Sequence, residues 1–240
     1  MALTSPRLTR TFFSRDPVIV ARDLLGRILF YRTPQGLLAG RIVETEAYTG
    51  EADAASHAFR GRTARNAVMF GAAGHAYVYF TYGMHYCLNV TADAPGVAGA
   101  VLLRALEPLA GLEIMRRRGD HGPEARLLSG PGKIGRGFGL DLKDSGRDFT
   151  RGPLGLAAGT SVPDREVAVS RRIGISRAVD LPYRFSVIGS LSVSGRAPPC
   201  PPPEGEGNSC CLPQRGEGNS CGLPQRGREI VAASPRGGRK

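Results

Sequence analysis

Between residues 27 and 106 the chain is a succession of runs rich in β-branched and aromatic residues, each broken off by glycine, proline or a polar turn. The runs at 27–31, 38–48, 76–81, 86–91 and 99–106 read as strands. Tyr82-Gly-Met-His85 joins the third to the fourth as a hairpin turn. Helical periodicity is confined to short pieces. Asp16-Pro17 opens one, with Gly26 closing it, and others are predicted at 63–70, 108–118 and 133–140. Strand character returns at 183–193. Antiparallel hairpins with few long helices predict an α+β domain: a curved antiparallel sheet flanked by short helices, not a doubly wound sheet.

That pattern stops near residue 196. Residues 197–240 hold eight of the 18 prolines, eight of the 33 glycines and no aromatic side chain, so they cannot bury a core of their own. They contain a tandem eleven-residue repeat that starts at Gly205 and again at Gly216. The expected organisation is one domain over 1–196 and a disordered tail over 197–240. A chain of 240 residues, 41% of them apolar, suits one such domain.

Cysteine usage narrows the chemistry. Four of the five cysteines lie in the tail without C-x2-C spacing, and only Cys87 belongs to the domain. Neither a disulfide framework nor a metal site is expected, and no cofactor is implied. The longest apolar runs reach about six residues against the ~20 of a spanning helix, and the first ten residues lack a signal peptide's apolar stretch. An intracellular protein that does not enter a membrane is therefore expected, with a monomer as the default state.

Net charge is +11, and 29 of the 32 basic residues are arginine. The tail accounts for +2 of this, which leaves +9 on residues 1–196. Such a balance suits a polyanionic partner, and arginine favours bidentate contacts to phosphates and base edges. A GC-rich genome would enrich arginine as well.

The candidate chemistry starts at Glu44, Glu46 and Tyr48, which alternate onto one strand face about 7 Å apart. A solvated strand face or an inverting sugar hydrolase fits that spacing as well as any other use. Tyr77 and Tyr79 share a face on the next strand, with Tyr82 at the following turn. Stacked tyrosines suit a flipped nucleobase, and a cationic purine would gain a cation–π contribution. Equally, they could fill a sheet face. The glycine-rich stretch at 130–139 lacks P-loop spacing; Lys133 and Arg136 at its helix start could meet a DNA phosphate, or the stretch could be a plain loop-to-helix junction. No Ser-His-Asp, Cys-His or H-E-x-x-H arrangement is present.

Taken together, Arg41-Ile-Val-Glu-Thr-Glu-Ala-Tyr48, His57, Tyr77-Val-Tyr-Phe-Thr-Tyr-Gly-Met84, Asn89, Leu102-Leu-Arg-Ala-Leu-Glu-Pro108 and Ser129-Gly-Pro-Gly-Lys133 resemble the alkyladenine (3-methyladenine) DNA glycosylase family, the single-domain type without a helix-hairpin-helix. The resemblance covers about residues 10–196. It implies that Glu46 activates water, that Arg104 and the main-chain carbonyl of Ile173 position that water, and that Glu44 is a structural neighbour. By the same resemblance Tyr48, His57 and Tyr79 line the base pocket, Asn89 disfavours guanine, and Tyr82 wedges into the duplex with Met84 beside it. The implied activity is hydrolysis of the N-glycosidic bond of alkylated purines, and the implied partner is double-stranded DNA containing alkylated or deaminated purines. A non-catalytic nucleic-acid-binding module is the alternative that charge and tyrosines alone would also satisfy.

Overall fold

The computed structural model describes residues 5–119 and 121–195. The expected boundary at 196 and the tail lie outside them. Two short helices open the chain, α1 (Arg10–Phe13) and α2 (Pro17–Asp23). Asp16 caps α2, its carboxylate accepting from the Val18 N–H at 2.7 Å, with Pro17 at the first helical position, as the sequence predicts. Strands β1 (Ile28–Thr33) and β2 (Gly36–Tyr48) follow as a hairpin, and then β3 (Ala76–Thr81), β4 (His85–Thr91) and β5 (Ala100–Ala110). The rest comprises α3 (Leu112–Arg117), α4 (Pro131–Phe138), β6 (Leu154–Ala157), β7 (Val167–Ser170) and β8 (Arg184–Val187).

All eight strands belong to one open antiparallel sheet, ordered β3-β4-β5-β2-β1-β6 with β7 and β8 branching from β2. The branch is possible because β2 is 13 residues long. One edge pairs with β5, while the other serves β1 in its first half and β8 over Glu44–Glu46 in its second. Register shifts against β5 near Glu44 mark bulges, which bend the strand and re-aim its side chains. The α+β class with short flanking helices is what the strand-and-breaker pattern predicts.

Three expected elements differ. Only a 3₁₀ turn, Ala67–Phe70, forms within 63–70. There the Asn66 amide donates to the carbonyls of His57 and Gly61 and its oxygen accepts from the Thr63 N–H, so side-chain bonding displaces helical pairing. β5 runs through Pro108 to Ala110, and α3 begins only after Gly111, whose φ of 80° breaks the strand. The strand expected over 183–193 ends at Val187, followed by a turn at Gly189.

β2 is covered on both faces. Toward α2, Thr45 donates to the Ala21 carbonyl at 2.8 Å, above a core that includes Leu24, Leu29, Leu103 and Phe138. The other face carries Glu44 and Glu46. α4 lies against β4 so closely that a Cβ at Gly135 would stand 2.0 Å from the Tyr86 carbonyl oxygen. Gly132, against His85, and Gly135 are thus explained by helix-on-strand contact, whereas Gly137 approaches Leu128 and Gly139 ends the helix with a φ of 67°.

Candidate active site

Glu44 and Glu46 are both fully buried, and Arg104 from β5 serves the two together. Its Nε donates to Glu44 Oε1 at 3.0 Å, and its Nη1 stands 3.2 Å from Glu46 Oε2. Two buried carboxylates with one shared arginine are tolerable only if further donors complete their shells. Glu44 receives Arg184 Nε at 2.7 Å, the Ser194 N–H at 2.6 Å and the Ser194 hydroxyl at 2.9 Å. Glu46 receives the Tyr48 hydroxyl at 2.9 Å and the Ile173 N–H at 2.8 Å. Burial pulls the pKa of Arg104 down, but Glu46 and Glu44 more than reverse this, so the guanidinium stays charged. Burial, reinforced by Glu46, pushes the Tyr48 hydroxyl well above its ordinary range and keeps it a donor.

The two carboxylates differ in where their partners lead. Tyr48, Arg104 and Ile173, the three partners of Glu46 among the described residues, line a cavity of about 420 Å³. Of Glu44's partners only Arg104 does. Glu46 lies directly behind that floor with no exposed surface of its own. Its Oε1 accepts one bond among the described residues and retains capacity for a second.

The cavity walls are aromatic. Tyr77 and Tyr79 of β3 stand 5.6 Å apart by ring centroid, and His57 meets the Tyr79 ring edge-on at 4.6 Å. The His57 Nδ1 is hydrogen-bonded to the Tyr77 hydroxyl at 2.9 Å. Burial, with the nearby Arg65 charge, lowers the His57 pKa, which favours a neutral imidazole at pH 7. Opposite Tyr77 on β4, Asn89 is buried, its amide tied to the Tyr77 carbonyl at 3.1 Å. Such walls suit a planar heterocycle gripped by ring faces and edges.

At the mouth, Tyr82 and Gly83 form the hairpin turn with φ of 50° and 68°, both in the left-handed region that a type I′ turn requires. Tyr82 lines the cavity yet is 79% exposed, and Met84 beside it is 70% exposed. Next to the cavity, and sharing His57 with it, lies a second recess lined by the exposed Arg60, Arg65 and Arg177. Among the described residues no group of three or more His, Cys, Asp or Glu has the arrangement of a metal site.

The structure thus gathers Glu46, Tyr48, His57, Tyr79, Tyr82, Asn89, Arg104 and Ile173 at one cavity. Met84 sits outside on the turn. Lys133, half-buried, donates to the Arg126 carbonyl at 2.7 Å, while Arg136 is exposed on α4. Ile173 meets Glu46 through its N–H, a contact that the resemblance did not imply. Sequence reasoning also missed Asp53, Arg172, Arg184 and Ser194. For Arg172 the only signal was its place beside Ile173, and the other three show none in isolation.

Sheet and cavity define a single-sheet α+β protein with an aromatic-walled cavity in front of a donor-ringed, buried carboxylate. Residues 11–191 match the model of the methylpurine-DNA glycosylase family, and the chain belongs to that family. It is therefore a DNA glycosylase, with DNA as its substrate. Among its relatives, a protein of Carboxydothermus hydrogenoformans is 50% identical over 188 residues, 78% of this chain and 98% of that protein. One from Koribacter versatilis is 48% identical, covering 79% and 93%, and one from Chlorobaculum tepidum is 43% identical, covering 82% and 95%. All three carry the name "Putative 3-methyladenine DNA glycosylase". No helix among the described residues is long and apolar enough to cross a membrane.

Proposed function

We propose that the protein flips alkylated purines, 3-methyladenine and related lesions, from double-stranded DNA inside the cell, and hydrolyses their N-glycosidic bond to leave an abasic site. The observation that carries this reading is the coupling of Glu46 to the aromatic cavity through Tyr48, Arg104 and Ile173. The glycosylase domain on this reading spans residues 1–196 and acts as a monomer.

The purine enters between Tyr48, His57 and Tyr79. Tyr82, with Met84 beside it, fills the space left in the duplex and offsets part of an extrusion cost of a few kcal/mol. Lys133 and Arg136 hold the DNA backbone near the hairpin, and Arg60, Arg65 and Arg177 add positive charge beside the cavity. The bond from the sugar C1′ to the purine breaks, positive charge develops on the sugar, and Glu46 stabilises it. Water bound between Glu46, Arg104 and the Ile173 carbonyl then attacks C1′ and gives its proton to Glu46. Because Glu46 has no exposed surface of its own, that water reaches the free acceptor capacity of Oε1 only when the groups in front of the carboxylate give way to it.

No lysine nucleophile is needed, so the enzyme is monofunctional. A cationic alkylated purine leaves as a neutral base without an acid. A neutral base such as hypoxanthine needs protonation, and His57, its pKa lowered by burial and by Arg65, carries that proton less often than an ordinary histidine. Cationic lesions are therefore the better substrates. Incubation with a methylated duplex followed by alkali should yield strand breaks at the lesions. Salt-sensitive binding without alkali-labile sites would overturn this reading in favour of a binding module.

A further inference from the structure

Arg172 and Asp53 form an ion pair in which both side chains have 0% exposure. The guanidinium meets the two carboxylate oxygens at 2.5 and 2.8 Å and also donates to the Ala47 carbonyl at 2.9 Å. Its Cζ lies 4.7 Å from the centroid of the Tyr48 ring and 5.5 Å from that of Tyr183. The Arg172 Nε has no hydrogen-bond partner among the described residues, so ring faces substitute for part of the lost hydration. Asp53 in turn accepts from the N–H groups of Thr49 and Ala55, which fixes the segment leading to His57.

Two walls of the cavity therefore meet at this pair. Arg172 immediately precedes Ile173, whose N–H reaches Glu46, and stacks on Tyr48, whose hydroxyl reaches Glu46. We infer that Arg172 and Asp53 are positioning residues for base excision, setting the Ile173 main chain and the Tyr48 ring against the Glu46 carboxylate. This rests on the proposed role of Glu46. Neither residue is placed among the groups lining the cavity, so neither touches the base. A lysine cannot replace the arginine, because a point charge offers neither the bidentate fork nor a plane to stack.

The test compares wild-type protein with Arg172→Lys and with the double variant Asp53→Asn/Arg172→Met. Removing both charges of a buried pair is often neutral for stability, so the double variant keeps the protein falsifiable where the single one unfolds. Single-turnover release of 3-methyladenine should slow about 10- to 100-fold in both. Affinity for a duplex carrying an uncleavable abasic analogue should stay within about threefold, since each factor of ten is ~1.4 kcal/mol of contact that these residues do not make. Wild-type release by a folded variant would overturn the inference. A parallel fall of affinity and rate would overturn it too, as would failure of both variants to fold, because either makes the pair a scaffold element only. An inactive wild type would instead refute the proposed function.

Discussion

Arg104 and Glu44 are locked together in the interior, Nε to Oε1 at 3.0 Å, while the same guanidinium reaches on to Glu46. Glu44 thereby aims Arg104 at the cavity without facing it, and on the proposed function the spacing that first suggested paired carboxylates becomes one base and one anchor.

Replacing Glu44 with Gln should therefore damage both fold and rate. It removes a buried charge that answers Arg104, Arg184 and Ser194 together, and breaking such a network costs about 3–5 kcal/mol. Urea denaturation should show that loss, with slower base release under conditions where the variant is still folded. An unchanged midpoint would contradict the anchoring role.

Tyr82 holds a φ of 50° while 79% exposed. Tyr82→Gly relieves strain of about 1–2 kcal/mol and adds about 0.5–1 kcal/mol of unfolded-state entropy, so stability should hold or rise. Affinity for a lesion-bearing duplex should fall about 5- to 150-fold, the worth of ~1–3 kcal/mol of stacking. A lower Tm, or undiminished affinity, would refute this account of the turn.

Asn89 is buried at the cavity wall and oriented by the Tyr77 carbonyl. On the proposed function, Asn89→Ala opens room for an exocyclic amino group and should raise guanine release relative to 3-methyladenine by about tenfold, the usual worth of one steric contact. Product ratios from methylated DNA measure it, and an unchanged ratio would remove Asn89 from selectivity.

Asp148 supplies a pH signature away from the site. Burial alone would raise its pKa, but the Thr150 hydroxyl and N–H and the Arg10 guanidinium outweigh it and bring the carboxyl from 3.8 to about 2. A depressed folded-state pKa contributes stability above the unfolded value and loses it as pH falls through the folded one. Wild-type Tm should accordingly exceed that of Asp148→Asn above pH 4 and converge with it toward pH 2. A gap independent of pH would contradict this.

How legible the sequence is depends on what fixes each element. The five strands of 27–106 are visible because β-branched and aromatic runs end at residues that must turn, and Asp16-Pro17 announces its helix by capping chemistry. β6 and β7 are four residues each and exist only through pairing with β1 and β8, so no local pattern marks them. At the site, Tyr79 sits on a regular strand and Glu46 and Tyr48 lie just past the bulges of β2, where pairing is regular again, so all three can be placed by alternation. Asp53 and Arg172 lie on loops joined across 119 positions of chain, a relation that only the folded structure creates.

The central claim is that Glu46 activates the attacking water. It is tested most directly by single-turnover release of free 3-methyladenine from a lesion-bearing duplex by Glu46→Gln, whose amide can still accept hydrogen bonds but cannot take a proton. Release should fall to background while lesion-duplex affinity stays near that of the wild type. Release at the wild-type rate would contradict the account.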